Sequence, residues 1–454
     1  MPLIIPSNSI SAVGYEVDNS LRFDDGSSDS LTRTQGTPTN ADICTFSVWF
    51  KLGADVTSND ISIFQEYVDV FNFFGISKKD NGRSQVFQFD GGSFNINVQP
   101  SRLFRDHSAW YHVVVAYDSS QSTASDRVKI YVNGVQETSF SASTYPAQNL
   151  DNRFNSSGKS IKIGTQNSNQ YWDGYMAETV FIDGTALDPT SFGEFDEDTG
   201  IWKPIDVSGL SFGTNGFYLP FENSGALGQD DSGNGNNFTV NNLTSIDQTT
   251  DTPTNNFATL NPLGTVQLGT LSEGNLKLVS SSAYKIATST IAVSSGKWYV
   301  ENKITGGSPD AMLGVIDVQD YQTNSSINYA GDKTNSVGYY KDGRKFIANS
   351  ASSYGASYTT DDIIGIALDL DSGTKTITFY KNGASQGAIN LPTAGSEEWY
   401  FLPSPYNATI EVNFGNPPFT ISSGNSDANG YGNFEYAVPS GYYALNTKNL
   451  AEFG

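Results

Sequence analysis

Two stretches of the chain have nearly the same sequence pattern, and in both a strand-like run is followed by Asn-Gly. Residues 128–135 read VKIYVNGV, and residues 376–383, about 250 positions later, contain TITFYKNG. In both, β-branched and aromatic residues alternate with other residues, as in a half-buried strand. Asn-Gly is favoured in two-residue hairpins because both turn positions can take positive φ. The repeat therefore predicts the same strand-and-hairpin unit in two separate regions.

Short strand-like runs bounded by turn residues fill both of these regions. The first region contains TFSVWFKL, WYHVVVAYD and SIKIGTQ, and the later one contains KWYVENKI, DIIGIALDLD and ATIEVNFG. No long segment places apolar residues at three-to-four spacing, so helix should be minor. At 454 residues the chain is too long for one ordinary domain. The sequence therefore predicts an all-β fold of two tandem β-sandwiches.

Composition divides the chain further. Asn, Gly and Pro dominate the region between the two strand-rich parts, and the last part, with GYGNFEYAVPSGYYAL, is rich in aromatic residues. We expect an N-terminal attachment segment, a first sandwich, an irregular connector, a second sandwich and an aromatic C-terminal tail. Their expected ranges are 1–14, 15–192, 193–262, 263–420 and 421–454.

The net charge of -23 makes nucleic acid and anionic lipid poor partners, because the chain repels phosphate. No apolar run approaches the length of a membrane span, so membrane insertion is not expected. Cys44 is the only cysteine, which excludes an intrachain disulfide and a CxxC-type metal site.

The strand motifs resemble two known families. WYHVVVAYDSS, VKIYVNGVQ, IKIGT and YWDGYMAETVFIDGTALDPTSF resemble the laminin-G-like branch of concanavalin-A-like jelly rolls, over most of residues 15–192. DIIGIALDLDSGTKTITFYKNG and IEVNFGNPPF resemble the SPRY fold, over about residues 285–420. The resemblance implies two concanavalin-A-like jelly-roll sandwiches in tandem.

The combination resembles virion proteins of marine tailed phages, through MPLIIPSNSI, NGFYLPF, DDSGNGNNFTVNNL, TPTNNFATLNPL and VPSGYYALNTKNL. That resemblance implies a non-enzymatic virion component, namely a fibre, spike or capsid decoration that binds a host-surface glycan or protein. It also implies contacts with other virion proteins and a homo-oligomer, with a trimer favoured. A purely architectural subunit is the alternative, and a polysaccharide depolymerase is a third reading.

Candidate catalytic groups are few. His107 and His112 are the only histidines, and His112 lies inside a predicted strand, where a polar group usually needs only a hydrogen-bond partner. Jelly-roll glycoside hydrolases place paired carboxylates on a strand. In GEFDEDTG, Glu194 and Asp196 match the first two positions of that motif, but Thr199 stands where the second Glu is needed. We therefore expect no catalytic site.

No cofactor is expected, although the laminin-G-like resemblance leaves a structural calcium ion at the rim open. Asp24, Asp25, Asp69 and Asp173 are conceivable ligands, but no spacing rule selects among them. LDLDSG lacks the later acidic positions of a calcium loop, so a turn stabilised by Asp and Ser is the simpler interpretation.

Two predicted loops of the second sandwich, residues 318–336 and 348–362, are built from Tyr, Ser, Asn, Gly and Ala. Antibody recognition loops have this composition, because Tyr gives contact area at low entropy cost. Loop sequences also vary when they have no function, so the composition alone does not decide between a binding loop and a loop without a function. The predicted ligand-binding residues are Tyr321, Tyr329, Tyr354 and Tyr358.

Overall fold

The computed structural model of the protein describes residues 14–54, 61–69, 72–79, 82–166 and 170–454, without the side chains of 73, 154 and 307–309. The predicted attachment segment, 1–14, lies outside these ranges except for Gly14. Two compact units divide the described chain, with the border between Thr254 and Asn255.

Short antiparallel strands build the first unit. Their bounds are β1 Ser20–Phe23, β2 Ser30–Thr34, β3 Ile43–Leu52, β4 Ile61–Asp69, β5 Asn72–Lys78, β6 Ser84–Asp90, β7 Ser93–Pro100, β8 Trp110–Asp118, β9 Val128–Val132, β10 Val135–Gln136, β11 Phe140–Thr144, β12 Ser160–Ile163, β13 Gly174–Asp183, β14 Gly193–Phe195, β15 Trp202–Pro204, β16 Phe217–Leu219, β17 Thr239–Asn241 and β18 Gln248–Thr249.

Two sheets of the first unit face each other across one core. The first sheet has the order β10-β9-β8-β3-β13-β1-β18, with β16 also paired to β13, and the second has the order β11-β7-β6-β5-β4-β12-β2-β17. Side chains alternate along the strands, so that Val128, Ile130 and Val132 of β9 point into the core while Lys129 and Tyr131 do not. This arrangement is the predicted β-sandwich.

The segment predicted as an irregular connector takes part in that sandwich. It consists mostly of loops, but β16 pairs with β13, β17 with β2 and β18 with β1. Phe217 and Leu219 are fully buried in the first core. These strands have two or three residues each, too few to show an alternating pattern in the sequence. The unit border therefore falls after Thr254 and not after residue 262.

The second unit is also built of antiparallel strands, around one long central strand. Its elements are β19 Thr270–Ser272, β20 Lys277–Tyr284, β21 Lys297–Asp317, α1 Val318–Thr323, β22 Ser336–Tyr340, β23 Arg344–Ile347, β24 Ser350–Ser353, β25 Ile363–Asp369, β26 Thr376–Lys381, β27 Ala384–Asn390, β28 Trp399–Phe401, β29 Ser404–Asn413, β30 Tyr443–Ala444 and α2 Thr447–Phe453. The 21-residue β21 pairs with β22, β25, β28, β29 and β30, and so joins the strands into one bent sheet system.

The aromatic C-terminal tail packs into its own unit. Phe434, Ala444 and Leu445 are fully buried, and β30 lies parallel to β21. The side chain of Glu301 on β21 accepts hydrogen bonds from the backbone N–H groups of Glu435 and Tyr436, both at 2.9 Å. The tail is therefore an integral part of the second unit.

Both Asn-Gly turns have the predicted geometry. The φ angles are +48° and +78° at Asn133 and Gly134, and +47° and +79° at Asn382 and Gly383. Each asparagine also receives a hydrogen bond at its Oδ1 from a neighbouring strand, from His112 N at 2.8 Å and from Ile363 N at 2.9 Å. The repeated phrase thus encodes the same hairpin and the same side-chain contact in both units.

Candidate functional site

The four predicted tyrosines do not form one site. Tyr321 lies on α1 and packs edge-on against Tyr400, with ring centroids 5.8 Å apart. Tyr329 packs against the rings of Tyr284 and Phe346, and its hydroxyl donates a hydrogen bond to Asn349 Oδ1 at 2.8 Å. Ligand binding by these two residues stays a prediction, and both pack against one buried cluster that contains Tyr400.

Tyr354 and Tyr358 both pack against Tyr339, with ring centroids 5.3 and 5.1 Å apart. Tyr358 is only 4% exposed, and its hydroxyl lies within hydrogen-bond distance of the carbonyl oxygens of Ala311, at 2.9 Å, and Tyr339, at 2.8 Å. Burial corrects the expectation that Tyr358 sits on a loop tip, because its ring cannot reach a ligand at the surface. Tyr354 is half-buried and donates to the Gly387 carbonyl oxygen.

A half-exposed aromatic surface extends from Tyr329, and sequence reasoning missed most of it. We call it the tyrosine surface and define it as Tyr284, Tyr329, Tyr340, Phe346 and Tyr406. The Tyr284 ring centroid lies 5.1 Å from that of Tyr329 and 5.2 Å from that of Tyr406, which is 39% exposed. Tyr284 and Tyr406 come from the paired strands β20 and β29, so loop composition could not indicate them.

Charged groups border the tyrosine surface. The Arg344 guanidinium lies 5.3 Å from the Phe346 ring centroid and 5.6 Å from that of Tyr340, a cation–π geometry. Tyr284 donates a hydrogen bond to Asp310 Oδ1 at 3.1 Å, and Lys341 Nζ lies 3.5 Å from the same carboxylate. Burial raises the pKa of Tyr340 to about 12, so its hydroxyl keeps its proton at neutral pH and can donate.

His112, one of two buried histidines in the first unit, is not a general base. His112 Nδ1 accepts a hydrogen bond from Trp202 Nε1 at 2.9 Å, so the neutral ring carries its proton on Nε2. Nε2 therefore donates to Ser47 Oγ, 2.8 Å away, which is the reverse of the proton transfer a serine nucleophile needs. Burial lowers the pKa of His112 to about 3, in accord with a structural role.

The carboxylates of GEFDEDTG belong to the β14–β15 hairpin. Asp196 accepts hydrogen bonds from the backbone N–H and the hydroxyl of Thr199, both at 2.9 Å, and from Lys203 Nζ at 3.1 Å. The Thr199 backbone bond is the main reason that the pKa of Asp196 falls to about 2. Glu194 lies 3.4 Å from the same Lys203 Nζ. The lowered pKa of Asp196 is the opposite of the raised pKa that a general acid needs.

The conceivable calcium ligands are dispersed. Asp173 accepts a hydrogen bond from Ala54 N at 3.0 Å, Asp69 accepts one from Asn72 at 2.9 Å, and Asp24 N donates to Asp29 at 2.9 Å. Among the residues that the structure describes, no three His, Cys, Asp or Glu side chains are grouped so that they could hold a metal ion.

Comparison with known families agrees with the two units. Residues 25–190 match the family described as the concanavalin A-like lectin/glucanases superfamily, and residues 297–417 match the SPRY domain. The chain carries a concanavalin-A-like domain followed by a SPRY domain. The predicted all-β fold of tandem sandwiches is thereby confirmed. Domains of these two kinds are typically non-catalytic binding modules, and the two matches show no enzymatic domain.

Individual relatives match parts of the chain. The chain is 31% identical over 140 residues to the dual specificity protein kinase splA of Dictyostelium discoideum, which is 29% of this chain and 6% of that kinase. The SPRY domain of human HERC1 is 18% identical, with a TM-score of 0.25, over 29% of this chain and 84% of that one. A Limulus polyphemus SAP-like pentraxin is 17% identical, with a TM-score of 0.29, over 38% and 78%. The activity of the kinase belongs to that protein.

Both domains extend beyond their family matches. Trp202 and β16–β18 follow the concanavalin-A-like match and complete that domain, and the segment after 417 completes the SPRY domain. The tyrosine surface lies mostly within the SPRY match, although Tyr284 precedes it. Within the described ranges, no helix is both long and apolar enough to cross a membrane.

Proposed function

We propose that this chain is a non-enzymatic structural protein of a tailed-phage virion, a fibre, spike or capsid decoration that binds a host-surface glycan or protein. The phage context rests on the sequence resemblance, and the tyrosine surface is the observation that carries the binding role. Half-exposed tyrosines present flat apolar faces together with hydroxyl groups, and such residues are enriched at binding hot spots. The proposed partners are other virion proteins and a host-surface molecule, in a homo-oligomer that we expect to be a trimer.

The test is adsorption of purified protein to host cells. Tyr329→Ala and Tyr406→Ala should each weaken binding by about 2 kcal/mol, the typical cost of truncating a hot-spot tyrosine. Tyr431→Ala is the matched control, because this half-exposed tyrosine contacts Lys448 in the C-terminal segment and lies outside the tyrosine surface. Each variant is first checked for an unchanged melting temperature.

Equal adsorption of all three variants would contradict binding through the tyrosine surface. A protein that adsorbs to no host cell and yet assembles into particles would favour the purely architectural role. Purified protein should release no sugar from host polysaccharide, and release that is lost in Glu194→Ala and Asp196→Ala together would establish the depolymerase instead. Sedimentation of the wild-type protein measures the expected oligomer.

A further inference from the structure

The outer face of the second sheet in the concanavalin-A-like domain carries an unusual set of side chains. Ile76 and Val86 are paired across β5 and β6 and point into the core. Their chain neighbours Ser77, Gln85 and Phe87 therefore point to the opposite face of the sheet. Despite facing outward, these three side chains are buried.

A pocket of about 150 Å³ lies on this face. Four glutamines, two serines, two phenylalanines and one lysine line it, so that its polar groups are mainly neutral amides and hydroxyls. Its volume is below the roughly 300–1,000 Å³ of pockets for drug-sized ligands, so the pocket suits one small ring.

Two buried polar groups in the pocket lack partners. Gln65 is 1% exposed, and its Oε1 accepts a hydrogen bond from Ser62 Oγ at 2.7 Å. Within the described part of the chain, Gln65 Nε2 and the hydroxyl of Ser77, which is 2% exposed, make no hydrogen bond. An unpaired buried polar group costs about 1–3 kcal/mol, so two of them in one pocket indicate a site that a polar ligand completes.

An aromatic platform lies beside these groups. A Cβ atom on Gly75 would lie 2.9 Å from Phe87 Cζ and 3.1 Å from Gln65 Cδ, so glycine lets both side chains lie close against the sheet. Phe94 lines the same pocket and is 46% exposed. The pocket therefore offers apolar ring faces next to unpaired amide and hydroxyl groups.

We propose that this pocket binds a single pyranose residue at the end of a glycan. Sugar hydroxyls both donate and accept hydrogen bonds, which matches Gln65 Nε2 and Ser77 Oγ, and the apolar face of a pyranose fits a phenyl ring. The inference adds a second binding site to the proposed function, on which its biological role rests, and assigns sugar binding to the first domain. No carboxylate is among the lining residues, so binding proceeds without calcium.

The experiment is saturation-transfer NMR on the full chain with D-glucose, D-galactose, D-mannose and N-acetyl-D-glucosamine, each at about 10 mM, which detects dissociation constants near 1 mM. At least one sugar should receive saturation from the protein, with or without EDTA. Gln65→Met and Ser77→Ala should each weaken its binding about tenfold, because each removes a hydrogen bond to the ligand.

Ser84→Ala is the matched control. Ser84 is also buried and its hydroxyl also lacks a hydrogen bond among the described residues, but it adjoins Gln85 in β6 and so lies on the opposite face. Its sugar binding should equal that of wild type. Ser77→Ala should melt at or above the wild-type temperature, since it removes a polar atom without a partner. Gln65→Met also removes the Oε1 acceptor of the buried Ser62 hydroxyl and should melt below wild type. If Gln65→Met does not fold, the comparison of sugar binding by Ser77→Ala and Ser84→Ala is sufficient to test the proposal.

Three results would overturn the proposal: no sugar receives saturation, Ser77→Ala binds like Ser84→Ala, or EDTA abolishes binding. The first would mean that the pocket holds only water. Tyr329→Ala and Tyr406→Ala, in the SPRY domain, should leave sugar binding unchanged. If these two variants lose cell adsorption but still bind sugar, the assignment of sugar binding to the pocket stands. If they lose sugar binding, the sugar site lies in the SPRY domain and the proposal is refuted.

Discussion

Gly134→Ala should destabilise the first domain far more than an ordinary substitution at positive φ. A Cβ atom at Gly134 would lie 2.5 Å from Cε3 and Cζ3 of the Trp202 ring, which covers the turn. The ring would have to shift, and Trp202 Nε1 would leave His112 Nδ1, 2.9 Å away. The glycine is therefore required for contact with Trp202 as well as for the turn.

The magnitude is the sum of two costs. A non-glycine residue at φ +78° costs about 1 kcal/mol in the left-handed region. Leaving the buried nitrogen of His112 without its donor costs about 2 kcal/mol more. We expect a total near 3 kcal/mol. Gly158→Ala is the matched control, with φ +75° and no atom within 4 Å of the added Cβ, and it should cost about 1 kcal/mol.

Urea unfolding followed by tryptophan fluorescence measures both values. Trp49, Trp110, Trp172 and Trp202 report on the first domain, while Trp298 and Trp399 report on the second. The midpoint shift of the first domain, multiplied by its m-value, gives the change in the free energy of unfolding. In a Trp202→Ala background the excess cost of Gly134→Ala over Gly158→Ala should vanish, as a double-mutant cycle requires for a direct contact. Equal costs for the two glycines in the otherwise wild-type protein would refute the reasoning.

Three further predictions concern the second turn, the domain border and pH. Gly383→Ala should lower the melting temperature more than Gly441→Ala does. The two glycines have nearly equal φ angles, +79° and +80°, but only at Gly383 would the added Cβ meet a ring, that of Tyr436, at 2.8 Å. Equal melting temperatures would contradict this. In calorimetry, a protein that ends at residue 195 should show no cooperative transition, because it lacks the core residues Phe217 and Leu219. A protein that ends at residue 254 should melt cooperatively. The reverse result would contradict the border after Thr254. Burial raises the pKa of Glu178 from 4.5 to about 7, so the folded state holds a proton that the unfolded state releases, and the first domain should lose stability as pH rises through this interval. Glu178→Gln should flatten that dependence in pH-resolved melting, and an unchanged slope would exclude Glu178 as its source.

Local sequence patterns predicted the parts of this fold that depend on near neighbours. VKIYVNGV and KNG were sufficient to predict a strand and a positive-φ turn, because alternation and Asn-Gly act within a few residues. The pairing of Phe217–Leu219 with β13 was not predictable, because a three-residue strand carries no period and its partner lies far away in the chain. The same reason hid the parallel pairing of Tyr443–Ala444 with β21.

The candidate sites were harder to predict than the fold. Tyr358 follows a polar loop sequence, yet its hydroxyl is held by two backbone carbonyl oxygens in the core, a contact that composition does not reveal. Gln65, Ser77 and Phe87 come from three different strands, and only the register brings them to one face. A bulge between Ser62 and Phe64 changes the alternation in β4, so even a correct strand assignment would have left the face of Gln65 open.

The contact of Glu301 with the C-terminal segment has a consequence for the order of events during protein synthesis. Its carboxylate is buried, and its partners Glu435 and Tyr436 are translated more than 130 residues later, on the order of ten seconds at typical elongation rates. Throughout that interval β21 lacks β30, and an acidic group has no amide donors from the tail. The first domain can close on the ribosome once Thr254 has emerged, whereas the SPRY domain must wait. A nascent chain that stalls in this interval exposes an unpaired strand, and it is then a substrate for chaperones.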